Sequence, residues 1–235
     1  MSAHASLREQ VLEANLAIVR AGLVVLTFGN VSGVDREAGV MAIKPSGVPY
    51  ESLDVDGIVV LEIASGAVVA GSARPSSDAP THLVLYRAYA GVGGIVHTHS
   101  PYATAWAQAQ RDLPCFGTTH ADHFDGPVPV TRALRRDEIE GDYERLTGEV
   151  IVEEFARLDL DPLARPAVLV ASHGPFAWGA DVSAAVENAV ALEAVAASAF
   201  RTELLRPGIG PVGDELRGRH FRRKHGPDAY YGQHS

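Results

Sequence analysis

The chain has 235 residues, 46% hydrophobic and 21% charged, the make-up of a folded globule and not of a disordered or fibrous chain. Its 20 Lys+Arg against 29 Asp+Glu give a formal charge of −9 without a basic run, which argues against sequence-independent nucleic-acid binding. A single cysteine, Cys115, excludes an internal disulfide and a thiolate-rich metal site.

No apolar run approaches the ~18 residues of a bilayer span. The N-terminus, MSAHASLREQ, lacks an apolar signal core. No membrane association and a cytoplasmic location are therefore expected.

Ser6-Leu7-Arg8-Glu9 predicts a capping box, Leu7, Val11, Ala14 and Ile18 then share a helical face, and Gly22 ends the helix. Thr27 to Ser32 leads to a turn at Arg36-Glu37-Ala38-Gly39, followed by a short strand from Val40 to Lys44. Ile58 to Ile63 and Ala67 to Ala70, joined by Ala64-Ser65-Gly66, read as a hairpin. Pro75-Ser76-Ser77-Asp78 opens a helix, with Ser77 as its expected N-cap, that runs to Gly91.

Gly94 to His99 is a buried-type strand, and Pro101 to Gln110 a helix. Pro114 to Pro129 is Gly/Pro-rich and reads as loops and short strands, with a helix following near Tyr143 to Leu158. Ala167 to Ala171 and Phe176 to Trp178 are apolar strands, and Val182 to Phe200 a long Ala-rich helix. The tail, 215–235, is polar and carries His220, Arg223, His225, Tyr230, Tyr231 and His234.

There is no repeat and no composition break, so one α/β domain over 1–235 is expected. Strands occur both as hairpins and between helices. That predicts a mixed sheet with helices on both faces.

His97-Thr98-His99 is the strongest local signal. Residues two apart in a strand face the same side, so the two imidazoles converge as metal ligands do. The tripeptide also fits two surface histidines that merely close a strand. His173, just past an apolar strand, and Asp78, after a Ser-Ser turn, extend the set to donors that suit zinc, manganese, cobalt or Fe(II).

A second signal is three small polar loops, Gly29-Asn30, Lys44-Pro45-Ser46-Gly47 and Ser76-Ser77. Hydroxyls, backbone N–H groups and a lysine are what a phosphate monoester needs, although each loop alone also reads as an ordinary turn. A third is Thr118-Thr119-His120-Ala121-Asp122-His123, where Asp122 is either a general acid/base or a solvated loop carboxylate.

Together these segments resemble a known family. The motifs are Thr27-Phe28-Gly29-Asn30-Val31-Ser32, Ile43-Lys44-Pro45-Ser46-Gly47, Pro75 to His82, Gly94 to Ser100, Gly117 to Asp122, Ser172 to Gly179 and Lys224 to Gln233. In this order they resemble the L-ribulose-5-phosphate 4-epimerases, the epimerase branch of the class II aldolase/adducin superfamily, over residues 7–233.

The resemblance implies a three-layer α/β/α sandwich around a mixed, mostly antiparallel sheet. It implies a homotetramer with active sites between subunits, acting on a sugar phosphate in arabinose catabolism. His97, His99 and His173 would hold zinc (or manganese or cobalt), with Asp78 on or close to the metal. Gly29, Asn30, Lys44, Ser46, Gly47, Ser76 and Ser77 would line the phosphate and substrate site. Asp122 and Tyr231 of the adjacent subunit would be the acid/base pair, with Thr118, Glu144, His220 and Arg223 as further contacts.

Phe28 stands where the family often has Trp, an apolar exchange. The rival within the superfamily is a sugar-phosphate aldolase of the L-fuculose-phosphate type. Such aldolases carry Glu after the Ser-Ser pair, whereas this chain has Asp78 and the Tyr230-Tyr231 tail. A non-catalytic adducin-type module would be expected to lose the ligand set. A His-x-His metal hydrolase needs a second ligand set, and a barrel of that kind is longer.

Overall fold

The computed structural model describes residues 4–232. Gln233 and His234 of the tail lie outside the described residues. Seven strands form one sheet: β1 (Asn30–Asp35), β2 (Val40–Ile43), β3 (Val59–Glu62), β4 (Val68–Ala70), β5 (Gly94–His97), β6 (Ala167–Leu169) and β7 (Pro175–Gly179). Among the described residues eight α-helices accompany it: α1 (Ala5–Arg20), α2 (Ala79–Ala88), α3 (Pro101–Gln108), α4 (Thr118–His123), α5 (Arg136–Glu140), α6 (Tyr143–Arg157), α7 (Val182–Leu205) and α8 (Asp214–His225).

The strand order is β4-β3-β2-β1-β5-β7-β6, and every ladder is antiparallel. The expected mixed character reduces to one isolated parallel bridge, Val130 to Leu169. Helical segments fall between β4 and β5 and between β5 and β6, yet each returning strand enters next to an antiparallel neighbour. Interleaving helices with strands therefore did not dictate a parallel sheet.

Strand alternation sorts the core into two faces. Met41, Ile43, Val59, Leu61, Ile95, Phe176 and Trp178 pack against α2 and α6. Val31, Val96, Ala177, Ala42 and Val60 face α1, α3 and α7. The result is the expected α/β/α sandwich.

Leu7, Val11, Ala14 and Ile18 are buried as the helical period predicts, and Leu23 N–H closes α1 on Ile18 O at 3.0 Å after Gly22 turns left-handed (φ 72°). The expected capping box is not formed. The Arg8 N–H already bonds His4 O, so the first turn starts upstream, and Ser6 Oγ instead accepts from Gln10 at 3.3 Å.

One expected loop is helical, and so is part of the tail, where the sequence predicts no element. The Thr118–His123 run is α4, and the polar tail contains α8, which lies against α4. Helix α7 is the one described helix long and apolar enough to cross a membrane, which the reading of apolar runs did not bring out. It packs along β5 and β7. From α1, the buried Asn15 clamps β1 by pairing with both the N–H and the carbonyl of Val31. This fixes the strand that begins at Asn30.

Candidate active site

Asn30 and His97 are register partners at adjoining ends of β1 and β5. Residue 97 shares the face of Ile95, so its ring points to the α2/α6 side, stacked on Phe176 at 4.2 Å. His97 Nδ1 donates to Pro175 O at 3.0 Å, leaving Nε2 directed at His99 Nε2, 3.2 Å away. A carbonyl on one imidazole nitrogen is the usual second-layer support of a metal-binding histidine.

The strand ends at His97, but the chain stays extended and brings His99 round to the same side. His173 comes from the turn before β7. Ser172 takes a left-handed φ of 60°, and Gly174 lies so close to the strand that a Cβ would meet Thr98 O at 2.8 Å. Gly29 presses on the same backbone from the other side. Its φ is 96°, and a Cβ would sit 2.9 Å from His97 O.

One nitrogen from each of His97, His99 and His173 thus falls within 4.8 Å of the others. Burial lowers the His99 and His173 pKa values, helped by neighbouring rings and opposed by Asp78, with His173 at about 4. With His97 Nδ1 donating to Pro175 O, the His97 Nε2 lone pair faces the other two rings. The donor set therefore fits a divalent ion, with His99 on the exposed side.

Asp78 does not join that group, against the expectation of a fourth ligand. It occupies the N-cap position of α2 expected of Ser77, but its Oδ2 accepts from Asn30 Nδ2 at 2.6 Å rather than capping. Burial pushes the Asp78 pKa up; the nearby His97 and His82 and the Asn30 bond outweigh this and hold it low. The carboxylate is thus anchored beside the triad. Asn30 Nδ2 also reaches Ser76 Oγ at 3.1 Å, and Asn30 Oδ1 is buried with no donor. That oxygen is free to accept from a bound molecule.

The Lys44 and Ser76 loops pair with each other. Ser76 N–H bonds Lys44 O at 3.0 Å and Ser46 N–H bonds Arg74 O at 2.9 Å, across a Pro45–Pro75 bridge. Those two N–H groups are thus not available to an anion. The hydroxyls of Ser46, Ser76 and Ser77, the Gly47 turn (φ 71°) and Lys44 remain around the opening. Lys44 is buried, which lowers its pKa.

These groups line one cavity of about 430 Å³. It gathers Gly29, Asn30, Lys44, Ser46, Gly47, Ser76, Ser77, Asp78, His97, His99, Glu144 and His173. Tyr143 also lines it and was missed in the sequence, while Thr27 and Pro45 were named only as parts of motifs and Phe28 only as an exchange. Tyr143 gives no spacing signal beyond standing next to Glu144; its hydroxyl lies 3.4 Å from His173 Nδ1.

The remaining expected residues gather elsewhere. Asp122 on α4 is gripped by Arg223 Nε and Nη2 (2.8 and 2.6 Å) and by His220 Nδ1 (3.0 Å) from α8. Burial raises the Asp122 pKa, but these two partners prevail and hold it below the usual carboxylate range. Arg223 also lies over the Tyr231 ring at 4.1 Å. Thr118 lines a separate cavity of about 330 Å³. Neither Asp122 nor Tyr231 lines the His-cluster cavity of its own chain.

A sheet-end imidazole triad on such a sandwich is an arrangement suited to a metal-dependent enzyme. The family model for the Class II Aldolase and Adducin N-terminal domain matches residues 9–200, and the chain belongs to that family. It is 53% identical over 97% of its length, and 98% of the relative's, to a protein of Salmonella paratyphi A called L-ribulose-5-phosphate 4-epimerase UlaF. Among solved structures, an L-fuculose 1-phosphate aldolase superposes with TM-score 0.79 at 25% identity, covering 94% of this chain and 97% of that one. The L-fuculose-1-phosphate aldolase of Thermus thermophilus shares the fold, with TM-score 0.67, 22% identity, and 89% and 100% of the two chains covered.

Proposed function

We propose that the protein is a metal-dependent epimerase that interconverts L-ribulose 5-phosphate and D-xylulose 5-phosphate. One observation carries the reading: a single cavity combines a three-imidazole cluster with a buried lysine and a set of serine hydroxyls. A ketose phosphate needs both kinds of group, and the name of the 53%-identical relative supports this substrate.

Carbon 4 of a ketopentose phosphate bears no acidic proton, so deprotonation cannot invert it. Loss of the C4 hydroxyl proton with cleavage of the C3–C4 bond gives glycolaldehyde phosphate and the enediolate of dihydroxyacetone. Rotation of the aldehyde and re-addition to its other face inverts C4. When bound at His97, His99 and His173, a divalent ion (zinc, or manganese or cobalt in its place) supplies Lewis-acid stabilisation of developing negative charge.

The chain's own groups do the rest. Lys44, Ser46, Ser76, Ser77 and the Gly47 turn receive the phosphate. The free Asn30 Oδ1 accepts from a substrate hydroxyl, held in place by the bond from Asn30 to Asp78. Glu144 lines the same opening. Asp122, kept ionised by Arg223 and His220, takes a proton from the C4 oxygen on one face, and Tyr231 gives one on the other. Arg223 lies over the Tyr231 ring and so holds it beside Asp122. Because Asp122 and Tyr231 stand outside the cavity of their own chain, a second copy supplies them, in a homotetramer with sites between subunits. A phosphorylated sugar as substrate supports a cytoplasmic location.

The test is a coupled assay for D-xylulose 5-phosphate from L-ribulose 5-phosphate, with metal analysis of the same sample. Turnover that a chelator abolishes is expected. Release of free dihydroxyacetone and glycolaldehyde phosphate would make the protein an aldolase instead.

A further inference from the structure

Lys44 is a cation buried without a counter-ion. It is 2% exposed, its hydrogen bond is a long 3.4 Å contact to Pro45 O, and none of the ion pairs among the described residues includes it. What it does touch is an aromatic face: Nζ sits 4.7 Å from the ring centroid of Tyr50. Tyr50 is itself buried, at the start of a single 3-10 turn (Tyr50–Ser52) that follows Gly47-Val48-Pro49.

The other end of that ring is tied down. The Tyr50 hydroxyl donates to Gly29 O at 2.7 Å, and burial raises the phenol pKa, so it stays a neutral donor. Gly29 cannot yield, since its backbone is packed against His97 O. Tyr50 therefore links Lys44 to the wall that carries Asn30 and His97. A desolvated ammonium gains from a π face, which favours its charged form where water is excluded.

We propose that Tyr50 is a positioning residue for the anion subsite. Its ring face keeps the Lys44 ammonium directed at the substrate phosphate, and its hydroxyl fixes that arrangement to the Gly29–Asn30 wall. The inference rests on the epimerase reading only in taking phosphate as the anion.

The experiment titrates inorganic phosphate into the metal-loaded protein by calorimetry, for the wild type, Tyr50→Phe, Tyr50→Leu, Lys44→Met and the Lys44→Met/Tyr50→Leu double variant. Loss of the ring in Tyr50→Leu should weaken phosphate binding about tenfold, whereas Tyr50→Phe, which keeps the π face, should stay within about threefold. In the Lys44→Met background, Tyr50→Leu should cost less than about twofold more, because the tyrosine acts through the lysine. With sugar phosphate, Tyr50→Leu should raise KM far more than it lowers kcat.

Unchanged phosphate affinity in Tyr50→Leu, or an equal loss with and without Lys44, overturns the proposal. So does a wild type that binds no phosphate. Thermal unfolding and metal content report whether the Leu variant folds. If it does not, Tyr50→Met fills the space without a π face and is read the same way. If the wild type binds phosphate but does not turn over L-ribulose 5-phosphate, the epimerase reading fails while the phosphate titration still decides the role of Tyr50.

Discussion

The two clusters of candidate site residues are held by different means. The imidazole end is built on the middle of a sheet: His97 sits on β5 between β1 and β7, stacked on Phe176, with the Gly29 and Gly174 backbones pressed against its strand. The Asp122 end is built on α4 and α8, and α8 has no buried residue at all. Its order comes from polar bonds: Arg223 and His220 to the Asp122 carboxylate, and His225 to the Asp122 carbonyl. Packing fixes the first region before any ligand arrives. The second is an electrostatic clamp on a surface helix, which a neighbouring chain can cover and which acid can loosen.

The largest effect should come from the rigid region. His97→Asn removes the candidate ligand whose Nδ1 is tied to Pro175 O. Bound metal should fall to background and kcat/KM should drop by on the order of 10³-fold or more. Elemental analysis beside the rate measurement checks both parts. A variant that keeps its metal would show that the sheet-end triad is not the metal centre.

Asp122→Asn should act on the other side of the comparison. We expect a loss of roughly 10²- to 10⁴-fold in rate with metal content intact, the range of a general acid/base group. Mixing unfolded His97→Asn and Asp122→Asn chains and refolding them together should restore activity well above either alone, because some cavities then receive a good half from each chain. No recovery would mean that one chain supplies both halves.

The pH response should separate the regions without mutation. Asp122 has a depressed folded pKa, so its pairing with Arg223 and His220 contributes stability above the unfolded value of ~3.9 and loses it as pH falls through the lower folded value. Hydrogen-exchange protection across Asp214–His225, taken relative to the intrinsic rate at each pH, should therefore fall below about pH 4, before that of β1 and β5. Simultaneous loss of both regions would show that α8 is held by more than the clamp.

This contrast also explains what the sequence disclosed. His97 and His99 were legible because alternation along an extended chain fixes where they point, and the β3–β4 hairpin was legible from Ala64-Ser65-Gly66 between two apolar runs. Helix α4 was not, since Thr118–His123 offers no apolar stripe and is flanked by Gly and Pro. Helix α8 was hidden for the same reason, Leu216 and Phe221 being its only large apolar residues. Ser6 carried a cap signature that an upstream turn displaced, and the Ser46 and Ser76 N–H groups are taken by each other's loops. Tyr50 and Tyr143 escaped because their partners, Gly29 and His173, are 21 and 30 residues away. Nothing local announces such a contact.

Tyr143 offers the smallest and most discriminating test. Its hydroxyl reaches His173 Nδ1 at 3.4 Å, a long bond at the exposed rim of an otherwise packed triad. It engages one ring nitrogen, so on the proposed reading the other would face the metal. His97 has a backbone carbonyl in that role, so His173 is the candidate ligand whose support can be removed by changing a side chain. Tyr143→Phe keeps the ring, and with it the 6.3 Å contact to His173, while deleting only the hydroxyl. Loss of such support typically weakens metal binding about 10-fold or somewhat more, so competition with a chelator should show a loss near the low end of that scale. Unaltered metal affinity would mean that His173 is oriented by its left-handed Ser172 turn alone, and that the sheet end needs no polar clamp of its own.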